Sequence, residues 1–264
     1  MIPGLSNVAE TGLAGMLTPA ATELTTDMLA SLSMLVFGPG DAELAPLGIT
    51  VAGHRDVTIV VTDPHRRIGN VTIEVASPGN LILFDNRNAG GHLHANLRML
   101  GPDCAMLFHG LGDGYIGLQD IFLRSRGQVL VWGRDATAVG LSIEHEGTGR
   151  TLLIGDDALI SSGVWIRNHD MHAIHDLRTG DRITRPPVDT VIERHVWIGQ
   201  NALVLGCQRI GTGAIIGAAA LVKGVVPTCT AMAGVPARII RTHVSWGRDT
   251  SGMTDTERAI VTGC

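Results

Sequence analysis

Aliphatic residues recur every six positions over the C-terminal half of the chain. Read in sixes from Ile192, the sequence runs IERHVW, IGQNAL, VLGCQR, IGTGAI, IGAAAL and VKGVVP. The first positions are Ile192, Ile198, Val204, Ile210, Ile216 and Val222, all apolar and β-branched. The fifth positions are Val196, Ala202, Gln208, Ala214, Ala220 and Val226, small or β-branched except for Gln208. Glycine stands second at Gly199, Gly211 and Gly217. Two earlier units, IGDDAL and ISSGVW, begin at Ile154 and Ile160, and a third begins at Ile166. A helix repeats at 3.6 and a half-buried strand at 2, and neither yields a period of six with glycine. Six residues instead fit one flat side of a three-sided coil. The first residue and the small fifth residue point inward, and glycine near the corner tolerates backbone conformations that other residues avoid. Three sides close a coil, and stacked coils bury one continuous core. The pattern predicts an all-β fold, a parallel β-helix.

The register breaks once. Ile166 and Ile192 lie 26 residues apart, which is not a multiple of six. The segment between them, residues 167–191, is polar, carries His169, His172 and His175, and ends near a Pro-Pro pair. It reads as a loop thrown out of the coil, and long loops on rigid scaffolds tend to carry function. Upstream, strand-like runs at Val57–Val61, Val71–Val75, Leu81–Phe84, Ile121–Leu123, Val129–Trp132 and Leu141–Ile143 are separated by Gly, Asp and Asn. No period of six is evident there. The chain thus divides into a partly helical N-terminal segment (1–50, with a helix over 18–35), a β-rich region of irregular coils continuous with the β-helix (51–145), the β-helix itself (146–241) and a C-terminal tail (242–264). Within the last, residues 254–260 read as one short helix, and the segment after Pro236 leaves the coil.

Composition narrows the picture. Aromatic residues are 3% of the 264 and glycines number 34, which points to a thin core of Ile, Val, Leu and Ala rather than one filled by rings. The net charge is −5 with no basic run, so nucleic acid is a poor partner. No apolar run approaches the ~18 residues of a membrane span, so no transmembrane segment is expected and the location reads as cytoplasmic. Cys104, Cys207, Cys229 and Cys264 are scattered without a CxxC, which predicts reduced thiols.

The hexads, the run IGAAALVKGVVP followed by AGVPARIIR, and the junction HVWIG at residues 195–199 resemble the hexapeptide-repeat acyltransferases. The similarity covers roughly residues 146–241. It is strongest to the galactoside, maltose and xenobiotic O-acetyltransferases, and ISSGVWIRNHDMHAIHD resembles the members that acetylate capsule polysaccharides. The resemblance implies a left-handed β-helix, a homotrimer with CoA in the groove between subunits, acetyl-CoA as co-substrate, a sugar-like acceptor and no metal. It also implies a histidine on the extruded loop as general base.

Acyl transfer to a hydroxyl needs a base of near-neutral pKa within hydrogen-bond reach of the acceptor, and histidine meets that need. By the family's Asp-x-His unit the base is His172, preceded by Asp170, with His169 as the second candidate. Asp170, Asp176 or a backbone carbonyl are alternatives for orienting the ring. The resemblance places Trp197 beside the acceptor, with packing at a subunit interface as the other reading. It gives CoA contacts to Gln200, Ala218, Lys223, Arg238 and Arg241. Relatives read Thr-Lys-Asp where this chain has Lys223-Gly224-Val225, a shift of one residue that in a strand turns the side chain to the other face. No GxSxG motif or reactive-cysteine pattern is present, which favours direct transfer over an acyl-enzyme. Three other readings stand beside this one: N-acylation of an amino sugar, a γ-carbonic-anhydrase-like metal enzyme, and a β-helix scaffold without catalysis.

Overall fold

Three columns of inward side chains run through the molecule, one for each side of a coil. The computed structural model describes residues 35–38, 40–54 and 56–263. Its fold is the expected left-handed parallel β-helix, with twenty strands among the described residues.

The first side is built by β2 (Ile49–Gly53), β4 (Gly69–Val75), β6 (Leu93–Met99), β8 (Ile116–Leu123), β10 (Thr137–His145), β13 (Val164–Arg167), β16 (Leu203–Ile210) and β18 (Leu221–Val226). Its inward column is Val51, Ile73, Leu97, Ile121, Ile143, Ile166, Val204 and Val222, in parallel register throughout. The second side comprises β3 (Val57–Val61), β5 (Asn80–Phe84), β7 (Ala105–Phe108), β9 (Val129–Trp132), β11 (Thr151–Ile154), β14 (Thr190–Ile192) and the ends of β16 and β18. Its column is Val61, Phe84, Phe108, Trp132, Ile154, Ile192, Ile210 and Val226. The third side joins the starts of β6, β8 and β10 to β12 (Leu159–Ile160), β15 (Trp197–Ile198), β17 (Ile215–Ile216) and β19 (Thr230–Ala233).

The first positions of all six hexads are fully buried, as the period requires. One fifth position departs from it. Gln208 is exposed and Cys207 points inward instead, because β16 bulges between Val204 and Arg209. Glycine also plays a different part from the one expected. At the corner between the second and third sides the left-handed positions fall on Asp135, Asp157, His195, Gly213 and Cys229, one per coil at φ between 44° and 70°, whereas glycine takes such positions at other corners, as at Gly127, Gly149 and Gly163, and not at Gly199, Gly211 or Gly217. Gly199, in the second position, is needed for close approach: a Cβ there would lie 2.7 Å from the Ala218 nitrogen of the next coil.

The coils come in two sizes. Along the first column, Ile73 to Leu97 and Leu97 to Ile121 are each 24 residues, whereas Val204 to Val222 is 18. The upstream repeat is therefore regular in space, with a period of 22–24 that a search for sixes does not register. The wider coils hold wider side chains. Phe84, Phe108 and Trp132 stack in the second column, at most 1% exposed, with the two phenyl centroids 5.1 Å apart. The ring-free core holds for the 18-residue coils and fails for the wider ones.

The ends are closed by antiparallel strands. β1 (Leu35–Phe37) pairs with β3, and a short helix α1 (Leu44–Leu47) leads into β2. The helix expected over 18–35 lies outside the described residues except for Leu35, which is in β1. At the other end β20 (Arg238–Thr242) leaves the parallel coil and folds back onto β19. Helix α2 (Asp255–Ile260) forms where expected, with Thr254 and Glu257 making a reciprocal capping box. Cys104 and Cys207 are free and buried. Cys229 is disulfide-bonded, against the expectation of reduced thiols. Among the described residues no helix is long and apolar enough to cross a membrane.

Candidate active site

The break in the repeat sits at the corner between the first and second sides, where β13 ends and β14 begins. Asn168, only 2% exposed, ties both ends of the extruded segment to the coil before it. Its side-chain oxygen accepts from Glu146 N (2.8 Å), and its amide donates to the carbonyls of Glu146 (2.8 Å) and Val188 (2.9 Å). Beyond Asn168 the segment turns into a small hairpin. Ile183 N donates to Ile174 O and Asp176 N to Asp181 O, and an Arg178–Asp176 ion pair closes its tip. The hairpin exposes Ile174, Ile183 and Leu177, the last at 96%.

The three histidines differ in what their rings can do. His169 Nδ1 accepts from Met171 N at 2.9 Å, so in the neutral ring the proton sits on Nε2, which is buried and has no partner. Such a ring donates at Nε2 and cannot take a proton there. His175 Nδ1 faces the Gly180 carbonyl at 3.4 Å. The exposed His172 ring has no hydrogen-bond partner among the described residues, while the His172 carbonyl accepts from Thr184 Oγ1 at 3.2 Å. Asp170 is exposed and makes no hydrogen bond to His172. Asp176 is held by Arg178, whose hydrogen bonds keep its carboxyl below the usual range.

A cleft of about 520 Å³ lies between this segment and the preceding coils, with Glu146, His169, Met171, Arg182 and Pro187 among its lining.

The remaining sequence-predicted residues gather elsewhere. Trp197 is 37% exposed on the third side, and its Nε1 donates to Ser161 Oγ at 3.4 Å. Its register column continues through Ile215 and Ala231 to Arg241. Gln200 and Ala218 occupy the corner between the third and first sides, where Ala219 N donates to Gln200 O. Arg238 is on β20 beside that corner, paired with Ala233. Lys223 is exposed on the first side. The first side, roughly 15 Å wide at ~3.3 Å per residue, therefore separates the histidine segment from the Gln200–Ala218 corner within one chain.

Sequence reasoning missed a second cluster. His195, fully buried, donates Nδ1–H to Asp157 Oδ2 at 2.6 Å and Nε2–H to the Trp246 carbonyl at 2.9 Å. Trp246 stacks on the imidazole at 4.3 Å and 4°, and its Nε1 donates back to His195 O. Arg248 Nε reaches the other Asp157 oxygen at 2.6 Å, and Glu257 accepts from the backbone of Arg248 and Thr254. Burial pulls the His195 pKa down, but the bonds to Asp157 and Trp246 outweigh it and the net shift is upward. Burial raises Asp157, and the bonds from His195 and Arg248 bring it below its ordinary value. With both ring nitrogens donating, His195 is an imidazolium that cannot act as a base. The donor atoms of Asp157, His195 and Glu257 converge within 4.8 Å, but all three already have protein partners, so the cluster does not fit a metal ion. It clasps the C-terminal tail to the coil. The available signal was the corner column itself, since Asp and His are enriched in left-handed backbone.

No protein-family model matches the chain. The Escherichia coli K12 protein WbbJ, whose name assigns it to O-acetyl transfer in lipopolysaccharide biosynthesis, is 35% identical over 109 residues, covering 38% of this chain and 54% of that protein. A polysialic acid O-acetyltransferase of Escherichia coli O1:K1 is 32% identical over 124 residues, covering 47% of this chain and 40% of that one. The chain thus spans about half the length of the curated relatives it matches. The crystal structure of the polySia-specific acetyltransferase NeuO superposes with a TM-score of 0.56 at 22% identity, over 78% of this chain and 85% of that one, a likeness of fold. By fold this chain is a left-handed β-helix protein, and the curated proteins it resembles over part of their length include O-acetyltransferases and, at 41% identity over 71 residues, an N-acetyltransferase of Staphylococcus aureus.

Proposed function

We propose that the chain is an acetyl-CoA-dependent O-acetyltransferase acting on a hydroxyl of a sugar or polysaccharide, with His172 as general base. The observation that carries this reading is the state of the histidine rings. On the segment extruded between β13 and β14, His172 is exposed with both nitrogens uncommitted among the described residues, whereas His169 accepts at Nδ1 and keeps only a buried N–H at Nε2, and both ring nitrogens of His195 donate. His172 takes the proton of the acceptor hydroxyl as its oxygen attacks the thioester carbonyl. The tetrahedral intermediate then collapses, the C–S bond breaks, and the imidazolium returns the proton to the departing thiolate. No acyl-enzyme is required.

Gln200, Ala218, Arg238 and Arg241 are assigned to CoA, with Ala218 leaving room for the pantetheine arm and the arginines meeting phosphates. Lys223 lies past the corner on the first side, which leaves it a more distant phosphate contact. Trp197 borders the thioester. Because these groups and His172 flank opposite edges of the first side, a complete site draws them from neighbouring copies. A homotrimer supplies that arrangement. The exposed Ile174, Leu177 and Ile183 of the hairpin, and the half-exposed Leu203, Leu205 and Leu221 on the first side, are apolar surface suited to such an interface. We place the reaction in the cytoplasm, where acetyl-CoA is available.

The test is turnover of acetyl-CoA with a panel of sugars and nucleotide sugars, following free thiol and product mass. His172→Ala is expected to lower kcat by about 10²–10⁴-fold while acetyl-CoA still binds. Full activity in His172→Ala removes it as base, and an absence of both CoA binding and acceptor-dependent thiol release refutes the acetyltransferase.

A further inference from the structure

We infer that the cleft beneath the hairpin is the acceptor subsite and that it selects a glycosyl unit carrying an anionic group, held by Arg182. This deepens the proposed function and rests on it for the word acceptor, but not for the binding.

Size and position come first. About 520 Å³ falls within the ~300–1,000 Å³ of small-molecule sites and accommodates one or two sugar rings. Two of its lining residues flank the proposed base directly. Met171 precedes His172 in the chain, and the Thr184 hydroxyl donates to the His172 carbonyl. The His172 ring is not itself part of the lining, so a sugar seated in the cleft lies beside the His172 backbone.

The lining suits a sugar. Met171, Pro186 and Pro187 offer apolar surface for the C–H face of a pyranose.

The balance of charge then chooses the class. Glu146 is the carboxylate in the lining, and it has partners: Arg124 Nε, whose guanidinium also lies 3.5 Å from Glu144, is 3.6 Å from one oxygen, and Ser125 Oγ donates to the other at 3.3 Å. Arg182 is the cation in the lining, and among the described residues no carboxylate is within ion-pair distance of it. Its backbone is fixed by the bridge to His175 in the hairpin. The cleft thus presents one uncompensated guanidinium, which pairs with the planar oxygens of a carboxylate in a bidentate manner or with a phosphate. A neutral sugar leaves that charge unused.

Binding of free monosaccharides to the full-length protein, followed by ligand-observed NMR titration, tests this directly. Glucuronate, galacturonate and N-acetylneuraminate would be compared with glucose, galactose and N-acetylglucosamine, and glucose 6-phosphate would report a phosphate source. At least one anionic sugar should bind tenfold or more tighter than the neutral sugars. That preference should fall to within twofold in Arg182→Gln and be partly kept in Arg182→Lys, which also controls for folding. A best ligand among the carboxylates identifies an acidic sugar, and one limited to the phosphate identifies a sugar phosphate. Equal binding of charged and neutral sugars overturns the proposal, as does a preference that survives Arg182→Gln. Acetyl-CoA affinity, measured in parallel, should be unchanged in Arg182→Gln, and a tenfold loss would reassign Arg182 to the CoA phosphates and overturn it too. Absence of acetyl-CoA binding and turnover in the wild type refutes the acetyltransferase, whereas anion preference is read from the sugars alone.

Discussion

Asp157→Asn should release the C-terminal tail from the coil. The substitution keeps the shape of the side chain and removes its charge. It leaves the His195 imidazolium, fully buried and 2.6 Å away, without its counter-ion, and takes the carboxylate from Arg248. Asp157 has only 17% of its side chain exposed, so solvent does little to replace the lost interaction. Removing one partner of a buried ion pair costs about 3–5 kcal/mol, or a fall in Tm of about 6–20 °C for a chain of this size. The pH dependence follows from the two shifts. His195 is raised above its ordinary 6.5, so its contribution is complete below that value and is lost as pH rises through the folded value. Asp157 is lowered below its ordinary 3.8, so its contribution is complete above that value and is lost as pH falls through the folded value. Between about pH 4 and 6.5 both are present. Thermal unfolding of wild type and variant at pH 5.5 and pH 9.5, with near-UV circular dichroism reporting on Trp246, should show the larger gap at pH 5.5. Equal midpoints at pH 5.5, or a gap that widens with pH, would refute the clasp.

Other consequences are as direct. Burial pushes fully buried His145 down to about 4, so the folded protein resists a proton that the unfolded chain accepts near 6.5. Stability should therefore fall as pH drops from about 6.5 to 4, by roughly 3 kcal/mol, and His145→Leu should flatten that slope in denaturant titrations. Gly199→Ala introduces a Cβ 2.7 Å from the Ala218 nitrogen, with backbone atoms as the obstacle, so the coils must separate locally. A loss of about 1–3 kcal/mol is expected by chemical denaturation, together with weaker acetyl-CoA binding at the Gln200–Ala218 corner proposed for CoA. An unchanged midpoint would show that the coils tolerate the extra atom.

The six-residue period from Ile192 to Val222 determined the β-helix by itself, because each 18-residue coil repeats the same inward positions at the same chain interval. It also determined where the helix is interrupted, since the 26-residue interval from Ile166 to Ile192 is not a multiple of six and shifts the phase. The upstream coils escaped a search for sixes because their 22–24-residue turns vary in length, and their register is held by parallel pairing and by the Phe84–Phe108–Trp132 stack. Sequence reasoning could name His169 and His172 but could not rank them by chemistry. The bond from the Met171 amide to His169 Nδ1 is a turn two residues long, set by the left-handed backbone of Met171 (φ 66°), and the path of the extruded segment leaves the His172 ring free. The clasp was beyond reach because its members are far apart in the chain. His195, Asp157, Trp246 and Arg248 are up to 91 residues apart in the chain, and no local pattern records that a corner residue of one coil meets a tail that folds back across it. Periodicity is a local property and can be read from the chain. Hydrogen bonds between distant segments depend on the path the chain takes, and only the tertiary structure decides them.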